Sequence, residues 1–342
     1  MTRWLKHLIL ALLFLVNWSF ASPAQTTDEA VPAETGLVEG AVVMTTEQTK
    51  VQVGLYILRL SNVSPRDGSF DVDMWMWFRW LGSEVRPERS FELANGVITA
   101  RTESEVFDDQ GMNYTTVRVQ GTIFHEFDVR RFPLDDHLIS IEIEDSSMED
   151  RLLTYEVDQG TALDPGVMVA GWQVGLQPAT VATHIYDTNY GFRTSGAEGA
   201  VYSRFSVPIT LERTSYGPLF KAFWISLLAV VLGLLAFLIK SDDLDARFGM
   251  GVGSIFAASA NAFVIADTLP QTTAVTLAEQ INLIAVGIIF TTVFVSIWSL
   301  RLRYADRDDD SLRLDRNAMI FLGVLYLALN VLVMSVDLSG WL

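Results

Sequence analysis

A stripe of small residues and phenylalanines in the last third of this 342-residue chain is the pattern most able to serve a function. Its members recur every three or four residues, so they share one face of a helix. The stripe comprises Gly249, Gly253, Phe256, Ala260, Phe263 and Asp267. Composition alone leaves two interpretations open: a packing interface between helices, or the lining of a pore whose phenylalanine rings exclude water when it narrows.

Catalysis finds little support in the chain. The four histidines are scattered at positions 7, 125, 137 and 184, and there is no cysteine. The sequence also lacks a nucleotide-binding glycine loop after a strand and a Gly-x-Ser-x-Gly turn. We therefore expect no enzyme, no catalytic residue, no metal site and no cofactor. Two roles stay open for His125, His137 and His184: a pH response, because carboxylates or burial can tune such groups, or ordinary surface solvation.

Four apolar segments must position the stripe. They lie at 219–239, 248–266, 280–300 and 317–337, and each is separated from the next by polar or turn-forming residues. Each is close to the ~20 residues that a helix needs to cross the hydrocarbon of a bilayer. We predict four membrane spans, with the stripe on the second.

The short loops between these segments predict the orientation. Lys240 and Arg247 flank the first loop and five arginines crowd the third, whereas the second, 268–276, contains neither lysine nor arginine. Positively charged loops remain in the cytoplasm. We expect the second loop, the C-terminus and the domain before the first span to be external.

The first 24 residues resemble a secretory signal. Arg3 and Lys6 precede an apolar run from Leu8 to Val16, and small residues follow it. The alternative is an uncleaved first membrane helix. We expect a signal peptide at 1–24, an external domain at 25–214 and a transmembrane domain at 215–342.

The external domain has the pattern of an all-β, immunoglobulin-like sandwich. Segments 51–60 and 70–80 are rich in strand formers around a turn, and further strand signals recur at 97–106, 114–129, 137–144, 152–157, 167–186 and 200–213. Without cysteine, a hydrophobic core alone must hold it. The formal net charge of −17 argues against nucleic acid as a partner and favours cations near an entrance.

Alternation in segment 70–80 places Trp75 and Trp77 on one face with Asp71, Asp73 and Arg79. The apolar residues Val72, Met74, Met76, Phe78 and Trp80 occupy the other face. Two interpretations remain open for the two tryptophans: part of a ligand pocket at a subunit interface, or the cover of a sheet in a homo-oligomer.

A resemblance to a known family becomes specific at Asp128-Val-Arg-Arg-Phe-Pro-Leu-Asp-Asp-His137. Five further features occur in register with it: the Trp-x-Trp-x-x-Trp strand at 75–80, Gly171-Trp172, a hairpin at 192–200, Arg213 before the first span and Leu269-Pro270 after the second. Together they resemble the pentameric ligand-gated ion channels, in the bacterial form that lacks the family's disulfide. The resemblance covers nearly the whole mature chain and implies a homopentamer in a bacterial inner membrane, with a periplasmic sandwich.

The resemblance also implies residues that couple the two domains. The loop aspartate of the family pairs with the arginine that ends the last strand, which here gives Asp135 and Arg213, with Asp67 as a possible third member. Phe132 and Pro133 then sit above Leu269 and Pro270. Ordinary interface salt bridging without a gating role is the alternative.

The ligand is an unknown small molecule or the proton. By resemblance, a site would combine Trp75 and Trp77 of one subunit with aromatic residues of its neighbour, and ring faces would favour a cationic ligand. The neighbour's residues would be Trp172, Tyr186, Tyr190 and Phe192. Residues 90–96 lack the family's Trp-x-Pro-acid element, and the first span lacks its mid-helix proline.

The sign of the permeating inorganic ion rests on Asp245. It matches the carboxylate of cation-selective bacterial members, whereas Ala246-Arg247 resembles the corresponding stretch of anion-selective glycine receptors. The missing proline before Ala246 favours cations. A channel selective for anions, and a non-conducting membrane-anchored receptor sealed by Phe256 and Phe263, are the alternatives.

Overall fold

The computed structural model describes residues 48–102, 105–191, 199–270, 272 and 274–339. The expected signal peptide at 1–24 and the candidate ligand residue Phe192 lie outside these ranges. The described chain comprises a β domain followed by long helices.

Twelve strands make up the β domain in the described residues. They are β1 (Thr49–Ser64), β2 (Ser69–Trp80), β3 (Phe91–Leu93), β4 (Gly96–Arg101), β5 (Phe107–Asp109), β6 (Met112–Phe124), β7 (His137–Asp145), β8 (Leu153–Val157), β9 (Ala162–Leu163), β10 (Trp172–Leu176), β11 (Thr180–Ile185) and β12 (Val201–Arg213). A single helical turn, Pro87–Ser90, precedes β3. The predicted strand at 167–186 is wrong as one element, because it divides into β10 and β11 around Pro178, which has no N–H to donate.

The strands form two sheets. The first has the order β4-β6-β2-β1-β8, with β5 also paired to β6 and β9 to β1, and the second has the order β10-β12-β7-β3, with β11 also paired to β12. Apolar side chains of both sheets share one buried cluster. The predicted sandwich-like β domain is therefore present.

Strand β2 shows the alternation that builds this core. Val72, Met74, Met76, Phe78 and Trp80 are buried, while the residues between them face outward or are half-buried. Its partner β1 carries Gly54 opposite Trp77. A Cβ at position 54 would lie 2.5 Å from Cε2 of the Trp77 indole, so the ring lies flat where only glycine leaves room.

Four long helices follow in the part of the chain that the structure describes: α1 (Gly217–Leu235), α2 (Leu244–Thr268), α3 (Leu277–Arg303) and α4 (Asp308–Ser339). All four are long and apolar enough to cross a membrane, so the chain is a multi-pass membrane protein by length and composition. Polar residues begin two of them: the Asp243 side chain accepts from the Ala246 N–H, and Thr276 and Glu279 form a capping box.

Candidate ion pathway and domain junction

Helix α2 has two faces of different character. Its buried residues recur every three or four positions and pack against the other helices: Arg247, Gly251, Ser254, Ala258, Asn261 and Ile265. The stripe singled out in the sequence lies on the other face, where Phe256 is 72% and Phe263 77% exposed. Asp245, Gly249, Ala260 and Asp267 are also exposed in the single chain, and Gly253 is half-buried.

A polar contact inside the bundle fixes the rotation of α2. The Asn261 side-chain nitrogen lies 3.0 Å from Ser226 Oγ on α1 and 3.1 Å from Asn282 Oδ1 on α3. All three residues are buried. Because an unpaired polar group in an apolar interior is costly, turning Asn261 away from its partners is disfavoured, and the opposite stripe stays exposed.

Arg247 belongs to the buried face. Its side chain forms an ion pair with Asp315 of α4 in which both side chains are almost completely buried, and its Nε donates to the Ile239 carbonyl at 2.9 Å. The charge of Arg247 is therefore compensated inside the bundle, while the Asp245 side chain, two residues earlier, is exposed.

The segment between β6 and β7 connects the β domain to the helices. The carbonyls of Arg130 and Phe132 accept hydrogen bonds from the N–H groups of Leu277 and Ala278, both at 3.0 Å. These are first-turn donors of α3 that have no partner within the helix. The loop therefore caps a membrane-spanning helix.

Apolar side chains cross this junction in both directions. Leu269 is buried in the hydrophobic cluster of the sandwich, as are Ile265 and Ala278. Leu134, which belongs to the loop of the β domain, packs against the hydrophobic cluster of the helices. Pro270 is half-buried beside them. A displacement of the loop would therefore change the contacts of the last turn of α2 and the first turn of α3.

Asp135 lies at the centre of the junction. It is 1% exposed, and its carboxylate contacts Arg213 Nη2 at 3.1 Å and His137 Nε2 at 2.7 Å. The guanidinium of Arg213 lies 3.8 Å from the centre of the Trp172 ring and 5.7 Å from that of Phe132. The expected pair of Asp135 and Arg213 is therefore present as a contact.

Asp67, expected to join Asp135 and Arg213, forms a different contact. The Asp67 carboxylate accepts from Ser64 Oγ within its own turn at 2.7 Å. Its neighbour Arg66 reaches the end of α2 instead, where its Nη1 lies 2.6 Å from Asp267 Oδ1 and 2.6 Å from the Asp267 carbonyl. Asp267, the last residue of the stripe, is thus an ion-pair partner of the β domain.

The aromatic residues expected to bind a ligand separate into three places. Tyr186 directly follows β11 and Tyr190 lies in the turn beyond it, with ring centres 5.9 Å apart. Trp75 and Trp77 face outward from β2 of the first sheet. Trp172 is not with either group, because it is buried under Arg213.

Charged groups surround the tyrosines. The Tyr186 hydroxyl donates to Glu144 at 2.8 Å, and the buried Glu144 also accepts from Arg204 Nε at 2.6 Å. Burial and this carboxylate raise the pKa of Tyr186 to about 12, so the hydroxyl stays a neutral donor at physiological pH. Tyr202 packs against the same ring, with centres 5.8 Å apart.

No protein-family model matches the chain, and no curated protein matches it significantly. Within the part of the chain that the structure describes, no group of three or more histidines and carboxylates is arranged to hold a metal ion.

Proposed function

We propose that this protein is a homopentameric ion channel of a bacterial inner membrane, gated by a small molecule or by protons and selective for cations. The observation that carries the proposal is the division of α2 into a face fixed inside the subunit and an exposed stripe. In the pentamer the stripes of five subunits enclose the ion path, and the β domain stands in the periplasm.

The exposed stripe is better suited to water than to lipid. It ends at Asp267, and the exposed Asp245 lies one turn before its first glycine, so carboxylates stand on either side of its glycines. The apolar stretch of α2 is also the least apolar of the four candidate spans. A charged side chain facing hydrocarbon is costly. Helices α3 and α4 instead expose large apolar residues such as Phe290, Phe294 and Val324, which fit a lipid-facing surface.

The two charges at the start of α2 favour cations. Asp245 is exposed on the stripe, so a ring of its copies would give a negative inner mouth. Arg247 belongs to the stretch Ala246-Arg247, which resembles anion-selective glycine receptors, and it is paired with Asp315 inside the bundle. Its positive charge is therefore compensated away from the proposed pathway.

The junction supplies a route from the β domain to the pathway. Arg213 ends β12 four residues before α1 begins, and its partner Asp135 lies in the loop that caps α3. Arg66 contacts α2 through Asp267. The exposed pair of Arg66 and Asp267 adds little to stability, whereas removing one partner of the buried pair of Asp135 and Arg213 would be costly. Both pairs can be redistributed between two states by a ligand that binds one state better.

A ligand site would require two subunits. Trp75 and Trp77 belong to the first sheet, whereas Tyr186 and Tyr190 lie in the segment that follows β11 of the second sheet. A neighbouring subunit could bring its first sheet against the second sheet of this one. The ring faces would favour a cationic ligand.

A non-conducting receptor of the same fold is the second candidate. Phe256 and Phe263 are the two aromatic residues of the stripe, and both are exposed. Rings of these side chains could close the path permanently by excluding water. Such a protein would keep the junction contacts but pass no current.

Current recording in planar bilayers under a salt gradient tests the proposal. We expect a reversal potential close to the equilibrium potential of the cation. Asp245→Ala should shift it towards the equilibrium potential of the anion, because the ring loses its charge. Asp309→Ala is the matched control, since it removes an exposed carboxylate from the start of α4 rather than α2. Absence of current at every pH and with every small amine tested would favour the receptor, and an unchanged reversal potential in Asp245→Ala would exclude this ring as the filter.

A further inference from the structure

His137 shares the buried carboxylate of the domain junction. It is the first residue of β7, and its side chain is 2% exposed. Its Nε2 lies 2.7 Å from Asp135 Oδ2, while Arg213 Nη2 lies 3.1 Å from Asp135 Oδ1. One carboxylate therefore contacts one permanent cation and one residue that becomes a cation when it binds a proton.

The groups around His137 come from several elements. Arg213 approaches from β12 together with Asp136, which accepts from the Arg213 backbone N–H at 2.8 Å. His125 and Asp128 lie on the segment that leads from β6 to the loop, and the Asp128 carboxylate is paired with Arg130. Asp135 is thus the carboxylate in direct contact with the imidazole.

A ladder of rings connects these groups. The ring centre of His125 lies 4.9 Å from that of Phe127, Phe127 lies 5.0 Å from His137, and His137 lies 5.2 Å from Trp172. Burial lowers the pKa of His125, and the neighbouring His137 lowers it further. Burial therefore disfavours a proton on His125 despite the nearby carboxylates of Glu126 and Glu142. Within the described residues, His125 has no carboxylate contact comparable to that between His137 and Asp135.

We propose that His137 is a proton-binding site at the domain junction, and that the imidazolium formed there competes with Arg213 for Asp135. The effect on ion flow rests on the proposed function, whereas the competition itself does not. Histidine is the side chain whose charge ordinarily changes between about pH 5 and pH 8, and the experiments below therefore cover this range.

The charge balance explains the competition. With a neutral His137, the carboxylate of Asp135 and the guanidinium of Arg213 compensate each other, and the imidazole N–H is a neutral donor. Protonation adds a positive charge to the same buried group, and two cations then share one anion. Arg213 is the partner that can yield, because it also has the Trp172 ring and more exposure, with 16% of its side chain accessible.

Movement of Arg213 would reach the membrane directly. It ends β12, and α1 begins at Gly217. Protonation of His137 would also change the contacts of Asp135, which lies in the loop whose carbonyls cap α3. Acid would therefore loosen one contact that joins two helices to the β domain.

Tryptophan fluorescence of the purified full-length protein tests the proton site without any current. A protonated imidazole quenches a neighbouring indole, so we expect a component of emission that falls as the pH is lowered from about 8 to about 5. This component should be missing in His137→Gln, which keeps a neutral N–H donor, and in Trp172→Phe. It should remain in His125→Gln and His184→Gln.

Two results of this experiment would overturn the inference. One is a wild-type emission that does not differ from that of Trp172→Phe across the pH range, a comparison that holds even if His137→Gln does not fold. The other is an unchanged component in His137→Gln. Asp135→Asn adds a further check. This variant leaves the cationic Arg213 near His137 without the carboxylate, so the pH-dependent component of the emission should disappear between about pH 8 and pH 5.

Bilayer currents test the consequence for ion flow. We expect the wild-type current to change by about tenfold between about pH 5 and pH 8, within the range typical of coupled sites, and to become independent of pH in His137→Gln but not in His125→Gln. A current with the same pH dependence in His137→Gln would overturn the link. A protein that never conducts would refute the proposed function, and the fluorescence result would still decide whether His137 binds the proton.

Discussion

Removal of the Asp315 carboxylate gives the most quantitative prediction for the helical bundle. Asp315 on α4 pairs with Arg247 on α2, and only 4% and 2% of their side chains are exposed. Asp315→Asn keeps the size of the side chain but leaves the guanidinium without its counter-charge. Arg247 would retain its hydrogen bonds to the Ile239 carbonyl.

The size of the effect follows from burial. Breaking a buried ion pair by removing one partner costs about 3–5 kcal/mol, because a buried charge is left uncompensated. Since Arg247 keeps the Ile239 carbonyl as an acceptor, we expect the lower end, about 3 kcal/mol. The matched control is Asp310→Asn, which breaks the exposed pair with Arg307. That change should cost about 0–1 kcal/mol.

Thermal unfolding in a single detergent compares the two variants. At about 2–4 °C per kcal/mol, Asp315→Asn should lower the midpoint by about 6–12 °C, and Asp310→Asn by no more than about 4 °C. The double change Arg247→Met with Asp315→Leu should recover much of the loss, since apolar replacement of both partners is often neutral or stabilising. Equal, small shifts for the two asparagine variants would refute the assignment of Arg247 to the interior of the bundle.

Two further predictions concern the β domain. Gly54→Ala should destabilise it by about 1–3 kcal/mol, because the new methyl group overlaps the Trp77 indole; chemical denaturation should show the loss, and Trp77→Leu in the same chain should reduce it. Arg118 holds the pKa of Asp73 below its usual 3.8 through a bidentate contact. The folded state therefore binds fewer protons than the unfolded state just below that pH, so the stability difference between wild type and Asp73→Asn should be complete at neutral pH and disappear as the pH falls through the folded pKa. A difference that grew on acidification would contradict this sign.

The sequence was sufficient where a local pattern determines structure. Hydrophobic length predicted the four helices, and the alternation in β2 divided its residues correctly into two faces, of which the apolar one is buried. The three- and four-residue spacing in α2 placed the stripe on one helical face, which is exposed in the single chain. The contact between Asp135 and Arg213 came from the resemblance to a family rather than from any local pattern.

Contacts between distant parts of the chain could not be predicted from the sequence. Arg66 and Asp267 are 201 residues apart, and Arg247 and Asp315 are 68 apart, so their pairing depends on how the domains pack. For the same reason Trp172, grouped by type with the ligand aromatics, proved to stack on Arg213. The loop carbonyls that cap α3 carry no signal in side-chain identity at all.

Accessibility of single cysteines along α2 tests most directly whether the exposed stripe surrounds a water-filled path. The chain has no cysteine of its own, so each introduced thiol is the only one. Ala260→Cys lies on the stripe and Ala258→Cys on the buried face. A water-soluble cationic thiol reagent, applied during current recording, should block the channel at position 260 and leave position 258 unaffected; block at 258 with no effect at 260 would contradict the account.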